Sequence, residues 1–459
     1  CACLVGSEMC IRDRYIMRRL LFIFSFLSLL VVDGKAQEVE TLTLEDCLRI
    51  GIDNNLSLEG KRKEIQKSKY GVSENRSKLL PQITVIAGYN NNFDPPVSVT
   101  DGSSYGVPYN ITKTLQHTAN AGLEMQMPLF NQTLYTSMSI AKVMEEISRL
   151  SYGKAREDII MQISKMYYLG QVTAEQIVLI KANITRLEEL RDITQAFFDN
   201  GMSMEVDLKR VNINLENLKV QYDNAQAMMK QQLNMLKYIM DYPAEKEFVL
   251  TPVNTDSITT VALTGLSENI YELQLSQSQV QLAEKQKKII SNGYIPSLSL
   301  TGSWRYAAYT DKGYHWFHSG PSNHWFRSYG LGLTLRIPIF DGLDKTYKIK
   351  KAMIDIENSK LAWENARKSL QTQYLNAVND LMNNQRNFKK QKDNYLLAED
   401  VYTVTSDRYR EGIASMTEVL QDEMQMSEAQ NNYISAHYNY RITNLMLLKL
   451  TGQIESLVK

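Results

Sequence analysis

The residues most suited to chemistry are three histidines in one short run, YHWFHSGPSNHW, where His315, His318 and His324 could offer imidazole nitrogens to a transition metal. Their spacing matches no established ligand pattern, and the tryptophans and phenylalanine among them fit an exposed aromatic loop better than a metal centre. Of four cysteines, Cys1, Cys3 and Cys10 precede the first plausible start, and Cys47 stands alone in the body of the chain. A single cysteine excludes an intramolecular disulfide framework and a thiolate zinc site. The sequence has no phosphate-cradling glycine loop, nucleophile elbow or HExxH helix, so no enzyme, cofactor or metal is expected. Two carboxylates remain, at matched places: Asp207 lies six residues after Gly201, and Glu418 six after Gly412. Taken alone, each is an ordinary solvated acid on a helix.

Charge narrows the partners little. Over 459 residues, 51 Lys and Arg balance 51 Asp and Glu, which leaves no cationic surplus for nucleic acid. From Met17, MRRLLFIFSFLSLLVVDGKAQ reads as a signal peptide over residues 17–36, with Arg18 and Arg19 before an apolar run and a small-residue cleavage site. That run is shorter than the ~20 residues a membrane helix needs, and no cysteine follows it to accept a lipid. The mature chain is expected to be exported without a lipid anchor. Residues 1–16 have no structural pattern and read as an artefactual leader. Without residues 1–36 the balance is 46 basic to 48 acidic, a net of −2.

The elements that must carry these residues come in two copies. Prolines divide the mature chain into long proline-free stretches that pair by length: residues 37–80 with 253–295, and 129–242 with 339–459. LLPQITVIAGY matches YIPSLSLTGSW with Pro81 and Pro296 215 residues apart, and LEMQMPLFN matches LTLRIPIFDG with Pro128 and Pro338 210 apart. FFDNGMSMEVDL matches RYREGIASMTEV with Gly201 and Gly412 211 apart. A near-constant offset marks a tandem duplication. The first repeat spans 37–241 and the second 268–459, with an irregular band expected over 242–267.

Within each repeat the period of the pattern changes. Between Pro81 and Pro128, and between Pro296 and Pro338, apolar and polar residues alternate, as Leu298, Leu300, Gly302, Trp304 and Tyr306 do against Ser299, Thr301, Ser303 and Arg305. Leu331, Leu333, Leu335 and Ile337 oppose Gly332, Thr334 and Arg336, and Leu123, Met125 and Met127 oppose Gly122, Glu124 and Gln126. A soluble hairpin shows the same alternation. The signal peptide, the aromatic clusters near the strand ends and the long polar loops over residues 91–115 and 310–326 favour strands of a membrane barrel. After Pro128 and Pro338 the spacing becomes helical. Ile163, Met166, Gly170, Thr173, Ile177, Ile180, Ile184 and Leu187 step by three and four, a supercoiled seam. Gly201 and Gly412 break these stretches into hairpins. An arm over 131–198 would be about 100 Å long, matched by a return arm over 203–241 stacked end to end on a helix over 57–80.

Four strands per chain cannot close a barrel, and open sheet edges in lipid are too costly to leave unpaired, so the chain must oligomerise. A lumen holding Glu124, Arg305 and Arg336 suits three chains better than two, because eight strands leave an interior filled by side chains.

With this order of segments, and with the terminal YNYRITNLMLLKLTGQI, residues 41–459 resemble the TolC family of outer-membrane efflux and secretion channels. The resemblance implies a homotrimer in outer-membrane lipid of a Gram-negative bacterium: a twelve-stranded barrel continued by a twelve-helix periplasmic tunnel. It implies docking of the helix tips at Gly201 and Gly412 to a periplasmic adaptor, and coupling to an inner-membrane transporter of the RND or ABC kind. Asp207 and Glu418 would form acidic rings at a periplasmic gate, and Tyr409 would tie neighbouring helices with Asp207 as its partner. Two positions depart from the family pattern: Ala414 stands where a tip arginine would make a salt link, and Gln421 replaces a second gate acid, with Asp422 beside it. The closed latch is therefore expected to be weaker. The expected function is passive conduction of small molecules out of the cell. A protein-secretion duct and a pore-free periplasmic coiled-coil scaffold are the alternatives.

Overall fold

A computed structural model describes residues 40–101, 103–113, 115–252, 265–310 and 324–458. The segments expected to be a leader and a signal peptide, residues 253–264 of the linker and residues 311–323 of the second loop, with His315 and His318, lie outside them, as does the side chain of His324.

The first repeat runs β1 (Glu40–Leu42), α1 (Leu44–Asn54), α2 (Leu56–Ser77), β2 (Gln82–Asn91), β3 (Val97–Asp101), β4 (Tyr109–Lys113), β5 (His117–Phe130), α3 (Gln132–Asp199) and α4 (Glu205–Met240). After β6 (Phe248–Leu250) the second repeat follows as α5 (Tyr271–Ser291), β7 (Ser297–Thr310), β8 (His324–Arg336), α6 (Asp344–Arg410) and α7 (Met416–Leu450). The duplication extends to element lengths. α3 and α6 have 68 and 67 residues, α4 and α7 have 36 and 35, and α2 and α5 have 22 and 21.

At 1.5 Å per residue, α3 and α6 are each about 100 Å long. Each is matched by two shorter helices laid end to end. The joint is explicit in the first repeat, where the Asn55 side chain donates to the Ile239 carbonyl in the last turn of α4 (2.8 Å) and caps α2 by accepting from Ser57 and Leu58 N–H. One side chain thus satisfies orphan backbone groups of both helix ends. In the second repeat, Ser267 N–H bonds the Leu450 carbonyl, holding the end of α7 beside the start of α5.

The predicted seam on α3 packs as expected. Ile163, Gly170, Thr173, Ile180 and Leu187 are buried, and Met166, Ile177 and Ile184 half-buried. Gly170 is a close approach: a Cβ there would lie 2.6 Å from Leu250 Cδ1, and one at Gly153 would lie 2.4 Å from the Tyr271 ring. Toward the hairpin ends Leu187, Leu190, Val211, Leu215, Leu218, Tyr402, Val419 and Met426 form one apolar cluster. At about 1.5–3 kcal/mol per fully buried side chain, this cluster helps hold the two hairpins together. A second cluster at mid-rod gathers Leu48, Ile160, Ile163, Met240, Phe248, Leu250, Leu445 and Ile454.

The described part of the linker is more regular than expected. β6 pairs in parallel with β1, Glu40 opposite Phe248 and Leu42 opposite Leu250, clamping the chain start to the band midway along the rod. The first long loop also differs, since β3 and β4 form an antiparallel hairpin within it.

The main sheet has the order β2-β5-β7-β8, every neighbour antiparallel. Its strands have 10, 14, 14 and 13 residues, so that β2 has the ten expected and the other three are longer, and β5 continues through a register shift between Pro128 and Phe130. A proline is tolerated there because β2 has already ended, opposite Gln126. Ile83, Met125, Gly302 and Leu331 stand abreast on one face, and Val85, Leu123, Trp304 and Tyr329 in the next row of that face. Gln82, Gln126, Thr301 and Gly332, then Thr84, Glu124, Ser303 and Gly330, make up the other. The apolar face is bare, with Leu331 79% exposed. β2 and β8 are edge strands with one side unpaired in the chain.

Candidate functional site

The two helical tips have the same backbone. Gly201 and Gly412 both have φ of 73°, the left-handed value that glycine adopts without penalty. At each, the following N–H reaches back five residues, Met202 to the Phe197 carbonyl and Ile413 to the Arg408 carbonyl, the Schellman closure of a helix end. No atom lies within 4 Å of a Cβ built at either glycine, so φ alone demands glycine, and the outer surface of each tip is open. Gly412→Ala is expected to cost roughly 1–2 kcal/mol for forcing a left-handed alanine. Gly60→Ala, in the exposed interior of α2, is expected to stabilise by up to about 1 kcal/mol. Thermal unfolding of the two variants checks the opposite signs.

Asp207 and Glu418 occupy the same position, third in the first turn of α4 and α7, where acidic side chains complement the helix N-terminus. Their partners differ. Glu418 closes a capping box, accepting from Ser415 N–H (3.2 Å) while Ser415 Oγ accepts from Glu418 N–H (3.3 Å). α4 has Met204 at its cap and no such box, and Asp207 pairs with Arg210 (3.3 Å) on its own helix. Arg210 also donates to Thr417 Oγ1 (3.3 Å), which ties one tip to the other.

The expected Tyr409–Asp207 hydrogen bond is not formed. The Tyr409 hydroxyl donates instead to Thr194 Oγ1 (3.3 Å), whose own proton goes to the Leu190 carbonyl, and its ring meets Phe197 at 5.7 Å. Thr194 lies on the buried stripe of α3 that faces α6, whereas Asp207 is held by Arg210. Burial pushes the Tyr409 phenol above its usual range; the Thr194 bond opposes this and the Asp207 charge adds to it. Ala414 is half-buried against the tip cluster, Gln421 is exposed and Asp422 half-buried.

Residues that no pattern signalled form a polar layer above the tips. Arg186 on α3 donates to Glu399 on α6 (2.5 Å) and to Asn183 (3.1 Å), and Asn183 bonds Gln430 on α7 (2.7 Å). Further along, Glu175 accepts from the Tyr433 hydroxyl (3.0 Å), and Arg441 Nε donates to Nε2 of the fully buried His437 (2.9 Å).

On the sheet, Glu124, Arg305 and Arg336 share the polar face as expected. Arg305 donates to Glu124 across β5 and β7, so these two charges answer each other. Arg336 has no carboxylate in ion-pair range among the described residues.

A four-stranded sheet with a bare apolar outer face and a polar inner one, continued by helices into a rod about 100 Å long, defines a subunit of an outer-membrane channel with a periplasmic extension. Among the described residues no helix is long and apolar enough to cross a membrane. The sequence pattern of the family described as outer membrane efflux protein matches residues 50–240 and 257–453, and the chain belongs to that family, the outer-membrane channels of efflux systems. It is 21% identical to the outer membrane protein TolC of Vibrio cholerae over 396 residues, covering 83% of this chain and 84% of that protein. It is 23% identical to the toluene efflux pump outer membrane protein TtgC of Pseudomonas putida over 382 residues, covering 78% and 75%. Among solved structures it superposes on CusC with a TM-score of 0.74 at 16% identity (91% and 94% covered). On VceC of Vibrio cholerae the TM-score is 0.71 at 14% identity (89% and 96% covered). The fold expected from the sequence, two tandem TolC-like repeats with four strands and long antiparallel helices, is the fold found.

Proposed function

We propose that three copies of this chain close a twelve-stranded barrel and a twelve-helix tunnel that passively conducts small molecules from an inner-membrane pump and periplasmic adaptor to the outside. The observation that carries this reading is the pair of free edges. β2 and β8 run in opposite directions at the two sides of one sheet, so β8 of one copy can pair antiparallel with β2 of the next and leave no open edge in lipid. The helices support the same contact, since α4 exposes Ile213, Val220 and Tyr238 and α6 exposes Leu361, Leu375 and Leu397 along faces that the described residues leave uncovered. Asp207 and Glu418, repeated threefold at the tips, would form the acidic gate, with Tyr409 holding α6 to α3 in the closed state. The open surfaces at Gly201 and Gly412 would receive the adaptor, an RND or ABC transporter would supply the driving energy, and Glu124, Arg305 and Arg336 would line the barrel lumen. The channel itself performs no chemistry.

Purified from membranes in mild detergent, the protein should run as a trimer and give discrete conductance steps in planar bilayers. In the Asp207→Ala, Glu418→Ala double variant, cation preference should fall and closed periods shorten. Unchanged ion preference and open probability would remove the gate assignment, and a protein released by carbonate washing would remove the channel.

A further inference from the structure

Where the sheet meets the helices, its polar face forms a hollow below the Glu124–Arg305 pair. Arg336 from the end of β8 and Lys78 from the end of α2 supply its charges, and Gln82, Gln126, Thr301 and Thr334 line it with amides and hydroxyls. No carboxylate lines it. Lys78 is partly answered from its own helix, by Glu74 at 3.4 Å and Asn75 at 3.3 Å. Among the described residues the Arg336 side chain meets neither a carboxylate nor a hydrogen-bond acceptor, and it is exposed on the polar face, in register with Ser297. An uncompensated guanidinium beside hydroxyl and amide donors recognises phosphate, sulfonate or carboxylate oxygens, because it presents paired N–H groups in a planar fork.

We infer that this hollow is an anion site in the duct: Arg336, assisted by Lys78, transiently holds anionic solutes at the junction of barrel and tunnel. The inference rests on the proposed trimeric channel, in which the site repeats three times around the lumen and three guanidiniums face one narrow aqueous volume. Low-dielectric walls would focus that field and raise the local anion concentration. The duct would then carry opposite signs along its length, carboxylates at the helical tips and cations at the barrel mouth. A solute leaving the tunnel would meet a step that retains anions and lets cations pass. Glu124 and Arg305, one level higher, cancel each other and leave Arg336 to set the sign.

The test uses the full mature protein in planar bilayers, with inorganic pyrophosphate as the probe. In wild type, millimolar pyrophosphate should reduce the potassium chloride current in a voltage-dependent way. Arg336→Gln should raise the half-blocking concentration at least tenfold, Lys78→Gln about threefold, and Arg336→Lys should retain most of the block. Equal block in wild type and Arg336→Gln, or no block of a conducting wild type, overturns the site. Block that survives Arg336→Gln but is lost in Arg305→Gln also overturns it, by moving the anion to the upper pair. A wild type that opens no channels at all fails the proposed function instead, so the two failures are distinguishable.

Discussion

Leu331→Arg should leave almost no assembled oligomer in the outer membrane, whereas Thr84→Arg should assemble nearly as wild type. Both changes add one guanidinium to the same sheet. Leu331 sits near the middle of the 13-residue strand β8, abreast of Gly302, Met125 and Ile83 on the apolar face. An arginine there would meet the hydrocarbon midplane, at about 2–4 kcal/mol per chain, and in the proposed trimer the cost would be repeated three times in one ring. Thr84 lies on the opposite face, opposite Glu124, where water and a carboxylate receive the charge. Heat-modifiable migration of outer-membrane fractions reads the difference. Equal assembly of the two variants would mean that the two faces do not meet lipid and water as assigned.

This contrast could be drawn from the sequence because the strand period is two. Once Leu331 and Leu333 are separated from Gly332 and Thr334, face assignment follows without coordinates. The prolines at 81, 296 and 338 and the glycines at 201 and 412 marked the ends of elements for the same reason, since each forbids or permits a backbone state at one position, whereas Pro128 lies two residues inside the end of β5. Contacts across helices were less legible. Tyr409 was expected to meet Asp207 and meets Thr194. In a helix of 68 residues, the drift between 3.6 and 3.5 residues per turn accumulates over many heptads, so the residue of α3 that faces Tyr409 depends on supercoiling that spacing does not encode.

Short pairings escaped for a different reason. β1 and β6 have three residues each, one at the start of the first repeat and the other in the linker after it, too short for any period to register. The β3–β4 hairpin is written as alternation in VSVTD, but it sits among asparagines, glycines and prolines that read as loop. Arg186 and Glu399 are 213 residues apart, and nothing near either signals the other. Of the candidate site, then, the positions of the tip glycines and acids and the residues of the polar sheet face were visible, and the partners that restrain them were not.

Glu157 connects the mid-rod joint to pH. It is only 5% exposed, on α3 where α5, α7 and the chain end converge, while its neighbours pair among themselves: Arg156 with Glu455 (2.9 Å), Asp158 with Lys449 (2.6 Å) and Lys154 with Glu272 (3.3 Å). Burial raises its carboxyl from 4.5 to about 7, the Glu455 and Asp158 charges adding to the rise and those of Lys449 and Lys154 opposing it. The folded chain therefore holds a proton between pH 4.5 and 7 that the unfolded chain releases. Stability from this group is complete below pH 4.5, is lost progressively up to about 7, and is level above that. The loss across that window is about 2–3 kcal/mol per chain, at ~1.4 kcal/mol per pH unit. Glu157→Gln, neutral at every pH, should match wild type near pH 4.5, exceed it by that amount at pH 8, and flatten the rise in thermal stability expected on acidification. Glu423 near the tips, also buried and raised to about 6, supplies a smaller slope that survives this substitution. Melting temperature followed from pH 4.5 to 8 for wild type and variant decides the matter, and parallel curves would show that Glu157 is ionised in its folded site throughout.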